Sequence, residues 1–396
     1  MWTLWRTFFR GRNNPAASPP RRARLQFESL GPRVVPTTSP FFLDTHNQVW
    51  GAIDSTGKVS RFTGATGVQL SVGETSFMGV AGQFAVVRDA ASHIAVLNGI
   101  NDVLTTTTLV ARDVVAGRDE VFFRDAKNKV HVLRLGVVMS DGRFAVTDLP
   151  TDVVAVRMKV GFDTTTGFDF LAFRAPNAHV GVLALFLGAP VSGDSGVTAV
   201  DFVAGNEKEV FVRRPGNLVE VVRVDAVTGA TVTFLPKVTT GQAAVEMGVS
   251  RNNPSGDDYL AYRAPDSSVH WMNYNPGAGT VAHFDVKDTN GKPVKARQVV
   301  AGVAEIFIRD LTNQVGYFTH DGTGTAVSKE TKTGQVATRL VDTSFTIGSG
   351  VIDQIAVSDR RGNLLVSQNN AGGTDIDSFF DTGFSARTVL GYNAFP

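Results

Sequence analysis

The sequence predicts an all-β protein: an eight-bladed β-propeller of four-stranded blades, built as four two-blade repeats, with its ring closed by a strand from the C-terminus. Three observations predict it. An apolar run ending in arginine, then a turn, then a second apolar run recurs eight times. The 396 residues include 40 glycines and 27 phenylalanines, a bias toward short strands and tight turns. The C-terminus supplies a strand type that the first copy lacks.

In chain order the copies read FFLDTHNQVWG, FAVVRDAASHIAV, VFFRDAKNKVHVL, FLAFRAPNAHVGV, VFVRRPGNLVEVV, YLAYRAPDSSVHW, IFIRDLTNQVGYF and IAVSDRRGNLLVS. Aligned on the arginine, the anchors are Leu43, Arg88, Arg124, Arg174, Arg213, Arg263, Arg309 and Ser358, with spacings of 45, 36, 50, 39, 50, 46 and 49 residues. The runs lack the 3.6-residue periodicity that helical repeats of this length need, so each copy reads as a four-stranded blade. In the third copy the strands are expected over Asp113 to Ala116, Glu120 to Arg124, Lys129 to Leu135 and Arg143 to Leu149.

A second period of about ninety residues overlies the first. Odd copies open on Val114-Val115-Ala116-Gly117, Phe202-Val203-Ala204-Gly205 and Val299-Val300-Ala301-Gly302; even ones carry Phe77-Met78-Gly79-Val80, Arg157-Met158-Lys159-Val160 and Glu246-Met247-Gly248-Val249. The unit is therefore a blade pair. Pro32, Pro36 and Pro40 disfavour a paired strand ahead of the first copy. Ala386-Arg387-Thr388-Val389-Leu390-Gly391 matches the odd-type openings, so residues 386 to 391 are expected to complete blade 1 and latch the ring.

Charge divides the chain at about residue 36, giving a basic, largely unstructured segment 1–36 and a propeller over 37–396. Residues 1 to 40 hold seven arginines against one acid, Glu28 (+6), and the rest carries −5. A mildly acidic body argues against a nucleic-acid partner. The apolar stretch from Val180 to Val191 is too short for a transmembrane span. Trp2, Trp5 and Phe9 share a helical face beside Arg6, Arg10 and Arg12, which suits membrane-surface contact by residues 1–12. Zero cysteines exclude disulfides and thiolate chemistry.

Strand alternation puts two polar rings on opposite faces. One carries Arg88, Arg124, Arg174, Arg213, Arg263 and Arg309 beside Asp44, Asp89, Asp125, Asp310 and Asp359; the other carries Glu120, Asp169, Glu209, Asp258 and Glu305. The arginines suit either capture of carboxylate, sulfate or sugar hydroxyls, or pairing with an adjacent Asp to stitch blades. Repetition in nearly every blade favours stitching. His46, His93, His131, His179 and His270 fall near the turn between second and third strands at varying offsets, and Asp285 to Gly291 has the wrong spacing for a calcium loop. No metal and no cofactor are expected. Catalysis needs unlike residues that break the repeat. The sequence has no GxSxG, HExxH or phosphate loop, and although Asp163, Asp257 or Asp353 could line a glycosidase or lyase channel, an enzyme is not the expectation.

Two resemblances sharpen this. Arg21-Arg22 followed by Phe27-Glu28-Ser29-Leu30-Gly31-Pro32-Arg33-Val34-Val35-Pro36 resembles the Leu-Glu-x-Leu-x-x-Arg-x-x-Pro signature at the N-terminus of exported and surface proteins of planctomycete bacteria, with Phe27 in place of Leu and Gly31-Pro32 where acids are common. That implies export to the cell envelope or beyond. The runs around Arg124, Arg213 and Arg309 are similar to the blade repeat of propeller lectins, which implies sugars held between blades by Arg and Trp. The matching positions here are the six arginines with Trp50 and Trp271, and most blades lack the Trp. The expectation is an exported, non-enzymatic binding propeller with a glycan or an envelope protein as partner.

Overall fold

The computed structural model describes residues 41–390, apart from 52–59, 76–81, 100–102, 164–167, 206–207, 251–257, 289, 303–304, 320–330, 343–344, 348–349, 353–354 and 370–375. Eight antiparallel four-stranded blades form a propeller. Blade 2 comprises Gln69–Thr75, Gly82–Arg88, His93–Asn98 and Leu104–Val110; blade 3 comprises Asp113–Ala116, Glu120–Arg124, Lys129–Val138 and Phe144–Val154. Blade 4 follows with Arg157–Asp163, Phe168–Arg174, His179–Phe186 and Ala189–Thr198. In blade 5, Asp201–Ala204, Glu209–Arg213 and Leu218–Val227 are completed by the split outer pair Val232–Phe234 and Val238–Ala243. Blade 6 is Glu246–Val249, Asp258–Arg263, Val269–Asn275 and Thr280–Asp285, and blade 7 is Ala296–Ala301, Glu305–Asp310, Gln314–Thr319 and Thr331–Val336. Among the described residues no helix is long and apolar enough to cross a membrane.

Closure falls where the sequence places it. One strand, Ile376–Leu390, serves two blades: its first part pairs with Asn363–Asn369 as the outer strand of blade 8, and its last part is the inner strand of blade 1. There Phe41 faces Leu390, Phe42 faces Val389, Leu43 faces Thr388 and Asp44 faces Ala386. The prolines before residue 41 and the N-terminal segment lie outside the described residues.

The core lies between blades. Alternate residues of each middle strand point to opposite neighbours, so Phe84, Val86, Phe123 and Leu133 fill the contact of blades 2 and 3, while Phe122, Val132, Leu171 and Phe173 fill that of blades 3 and 4. Nearly every position of the second strand is therefore buried, which explains unbroken runs such as EVFFR and EVFVR.

The ninety-residue period has a structural cause. In blades 3, 5 and 7 the first-strand residue opposite the anchor arginine, Asp113, Asp201 or Gln298, lies 11 or 12 residues before it; in blades 2, 4 and 6 that residue, Gln69, Arg157 or Glu246, lies 17 or 19 before it. Even blades thus have a longer first hairpin. Their first strands also press against the next odd blade through glycine: a Cβ on Gly161 would meet Gly205 O at 2.6 Å, one on Gly248 would meet Ala301 N at 3.1 Å, and one on Gly73 would collide with Gly117 O. One expectation is corrected here. The first strand of blade 2 is Gln69–Thr75; Phe77 to Val80, the expected opening, lies outside the described residues.

Candidate ligand-binding face

The arginine face is built on one turn used eight times. Four residues after each anchor, Asn47, Ser92, Asn128, Ala178, Asn217, Ser267, Asn313 and Gly362 adopt φ between 62° and 80°, the left-handed region that Asn and Gly tolerate best. The residue after the anchor closes the turn. Asp125 Oδ1 accepts from the amides of Lys127 and Lys129, Asp310 from Thr312 and Gln314, and Asp359 from Arg361 and Asn363. These aspartates are turn caps and do not pair with their neighbouring arginines.

The same turn ties each blade to the next. Its left-handed residue accepts a hydrogen bond from the amide of a small residue at the blade junction: Gly67 to Asn47, Ala111 to Ser92, Ala155 to Asn128, Ala199 to Ala178, Ala244 to Asn217, Ala296 to Ser267 and Ala337 to Asn313. The following residue then donates to the carbonyl of the next anchor, as Arg112 does to Arg124 and Val200 to Arg213. Two successive amides of the junction are therefore satisfied, one by each blade.

The six arginines fall into three pairs, one at each junction from an even blade to the next odd one. At blades 2 and 3, Arg88 Nε donates to Gln69 Oε1 at 3.1 Å, Gln69 donates to Asp113, and Arg124 meets Asp113 Oδ2 at 2.9 Å. At blades 4 and 5, Arg157 and Arg213 both pair with Asp201, the latter at 3.5 Å, and Arg174 stands opposite Arg157 and donates to the Val200 carbonyl at 2.8 Å. At blades 6 and 7, Arg263 Nε meets Glu246 Oε2 at 3.1 Å, and the Val299 amide donates to the same oxygen at 3.3 Å. Arg309 donates to Asn313 at 2.8 Å beside them. Burial raises the Glu246 carboxyl above its ordinary value although Arg263 opposes it; burial followed by Arg297 lowers Arg309. Each cluster thus gathers two or three guanidinium groups around one carboxylate, and Arg88, Arg174 and Arg309 have no carboxylate within salt-bridge range among the described residues.

The two tryptophans lie apart. Half-buried Trp50 donates from Nε1 to Asp44 Oδ2 at 3.0 Å in blade 1, where Leu43 replaces the arginine. Trp271 is fully buried between blades 6 and 7, stacked on Phe284 at 4.8 Å and packed on Tyr259 at 5.2 Å. Its indole offers no face to solvent. The five histidines of the second turns do not converge on one another either: His131, His179 and His270 each hydrogen bond an aspartate of their own blade, Asp148, Asp194 and Asp285, at 3.0 to 3.1 Å. His93 lies 3.4 Å and His46 3.9 Å from their own turn aspartates.

On the opposite face Glu120, Asp169, Glu209 and Glu305, at the head of the second strand, are buried. Glu209 pairs with Arg223 at 3.0 Å, Asp169 accepts from the Arg118 amide of the preceding blade, and Glu305 is fully buried. Glu120 stands opposite Arg134, and desolvation pushes its carboxyl up to about 8 against the pull of that arginine. Asp163 lies opposite Phe168 at the end of its strand and Asp258 opposite Tyr274; Asp257 and Asp353 lie outside the described residues.

No family model matches the chain, and no curated protein sequence matches it. Solved propellers do. The Dos1 propeller is similar over 80% of this chain and 84% of its own, at 11% identity and a TM-score of 0.47. Aleuria aurantia lectin in complex with alpha-methyl-L-fucoside is similar over 83% and 96%, at 10% identity and 0.40. Prp20p from Saccharomyces cerevisiae is similar over 74% and 85%, at 10% identity and 0.42. At these identities and scores the likenesses carry no argument about function.

Residues at the head of the first strand are the part of the site that sequence reasoning missed. Gln69, Asp113, Arg157, Asp201 and Glu246 orient the anchors, and the only signal for them is the small junction residue two positions earlier, as in Ala111, Ala155, Ala199 and Ala244.

Proposed function

We propose that this propeller is an exported, non-enzymatic binding protein that holds acidic glycans on its arginine face, with carboxylate or sulfate groups seated at the three even-to-odd junctions. One observation carries the reading: the recurrence of clusters in which guanidinium groups outnumber carboxylates, with Arg88, Arg174 and Arg309 half-buried and in no ion pair among the described residues. A planar guanidinium fixed on one side by Gln69, Val200 O or Asn313 has further N–H donors, which suits bidentate capture of a carboxylate or sulfate. Three like sites on one rigid ring favour a repeating polyanion, since the second and third contacts form at high effective concentration. The signature-like segment at Phe27 to Pro36 supports a place at the cell surface.

The test is a glycan array of neutral, carboxylated and sulfated chains probed with the full-length protein. The expected result is selective, salt-sensitive retention of acidic chains, weakened at least about tenfold by Arg174→Gln, since a hydrogen bond to a charged group is worth about 1.5–3 kcal/mol. A blank array with folded protein would sink the glycan reading and leave a protein-binding disc.

A further inference from the structure

The outer strands of blade 6 bring two histidines and an aspartate together. His270 stands opposite Asp285, and His283 lies two residues before Asp285 on the same strand, so all three share a face of the sheet. That face also presents Tyr262 and Met272, which pack on blade 5. His270 Nδ1 is 3.0 Å from Asp285 Oδ1, His283 Nε2 is 4.0 Å from the same oxygen, and the three ligand atoms lie within 4.8 Å of one another. The Tyr262 ring lies beside both imidazoles, with centroids at 5.1 and 6.0 Å, and its hydroxyl bonds Gln242 of blade 5 at 3.2 Å.

The hydrogen bonds around His270 define what Nδ1 can do. Hydrogen bonds from Ser268 hold the Asp266 carboxyl below its ordinary value, so it is ionised at neutral pH. The Ser268 hydroxyl donates to Asp266 Oδ1 at 2.5 Å, and its one proton is then spent. At the 2.6 Å contact between Ser268 Oγ and His270 Nε2, the ring nitrogen is therefore the donor. A neutral His270 would then aim the Nδ1 lone pair at a carboxylate oxygen 3.0 Å away, which is repulsive unless positive charge lies between them or on the ring. His283 brings a second ring nitrogen to the same carboxylate: its Nε2 is buried, lies 4.0 Å from Asp285 Oδ1 and makes no hydrogen bond among the described residues.

We propose that His270 Nδ1, His283 Nε2 and Asp285 Oδ1 bind one divalent first-row transition ion, zinc by preference. Two imidazoles and a carboxylate are a common zinc donor set, and with bonds of about 2.0–2.1 Å a tetrahedral site has ligand edges of about 3.4 Å. The 3.0 Å edge is already close to that value, the 4.0 Å edge exceeds it by about 0.6 Å and the third edge is at most 4.8 Å, so a shift of about 1 to 1.5 Å by half-exposed His283 closes the site. Asp266 and Ser268 form the outer shell that fixes the tautomer of His270. Asp285 is half-exposed, so the remaining coordination position faces water. Blades 3 and 4 repeat the His–Asp contact at His131–Asp148 and His179–Asp194 without a second histidine, and serve as internal controls.

The test uses the full chain, stripped with chelator and titrated with cobalt(II) chloride and zinc chloride. One equivalent of cobalt should develop d–d absorption without a thiolate charge-transfer band, zinc should displace it, and zinc should raise Tm. His283→Gln should abolish the one-equivalent binding, Ser268→Ala should weaken it about 10- to 100-fold, and His131→Ala should leave it unchanged. Because His283 is half-exposed, His283→Gln is expected to keep the parent circular dichroism and apo Tm. Absence of stoichiometric binding, or binding that survives His283→Gln, overturns the proposal.

Discussion

Removing residues 386–396 takes away the inner strand of blade 1 and leaves blade 8 intact up to Ser385, its last register partner. Four residue pairs are lost, Phe41–Leu390, Phe42–Val389, Leu43–Thr388 and Asp44–Ala386. About four ladder hydrogen bonds at a net of about 1 kcal/mol each give about 4 kcal/mol. Phe41, Phe42 and Leu43 are 4%, 0% and 0% exposed and would sit on the new edge; uncovering a part of them adds about 2 kcal/mol, since full burial of such a side chain is worth about 1.5–3. The sum, about 6 kcal/mol, is comparable with the whole stability of an ordinary domain, so the truncated chain should melt far below the parent or open blade 1 at equilibrium. The assay is urea unfolding with hydrogen exchange: the midpoint should fall, and amides of 41–51 should lose protection before those of blades 3 to 7. A synthetic peptide covering 386–396 should restore protection in trans, as an edge strand accepts a partner through its free ladder. An unchanged midpoint, or loss of protection spread evenly over all blades, would refute the latch.

Two further outcomes follow from local chemistry. Burial pushes the Glu120 carboxyl from its ordinary 4.5 up to about 8 in the fold, so between these values the native state holds a proton that the unfolded state has released, and stability falls as pH rises from about 4.5 to about 8. Glu120→Gln should remove that loss, leaving the variant more stable than the parent above pH 8 by on the order of 4 kcal/mol and nearly equal to it at pH 4; parallel pH–stability curves would contradict the desolvated site. Ala178 holds φ 67° at a turn position where blade 8 has Gly362 at φ 80°. Ala178→Gly should therefore raise stability by about 0.5–1 kcal/mol despite the entropy of glycine, read as a small rise in urea midpoint; a fall would mean the turn bears no strain.

Much of the architecture was legible because a propeller repeats its buried runs. The third-copy strands Asp113–Ala116 and Glu120–Arg124 were readable to the residue, and so was the odd-type opening at the C-terminus, since both are short apolar runs flanked by turn residues. Blade 2 shows the limit. Its opening strand QLSVGET has neither Val-Ala-Gly nor Met, and even blades interpose a long hairpin, so Phe77 to Val80 matched the pattern from the wrong place. The partners of the arginines were hidden for a similar reason: their offset changes from 11 to 19 residues between blades, and their chemistry alternates among Gln, Asp, Arg and Glu. His283 gave no repeat signal because only blade 6 has His-x-Asp at the end of its fourth strand.

Stitching and binding are compatible uses of the same arginines, because the clusters are uneven in charge. Where a guanidinium meets a carboxylate, as in Arg124–Asp113, Arg213–Asp201 and Arg263–Glu246, most of its charge is compensated and it chiefly fixes the junction. Its cluster partner, Arg88, Arg174 or Arg309, takes a neutral acceptor instead, so desolvating it without an anion is the costlier state. The even-to-odd junction is also where Gly73, Gly161 and Gly248 let the inner strands approach most closely, which fixes the two arginines of a cluster relative to each other. A blade pair is therefore the smallest unit that contains a complete cluster. Repetition of the pair keeps one arginine for structure and leaves the other for a ligand, so substitutions at Arg88, Arg174 and Arg309 should separate binding from stability more cleanly than those at Arg124, Arg213 and Arg263.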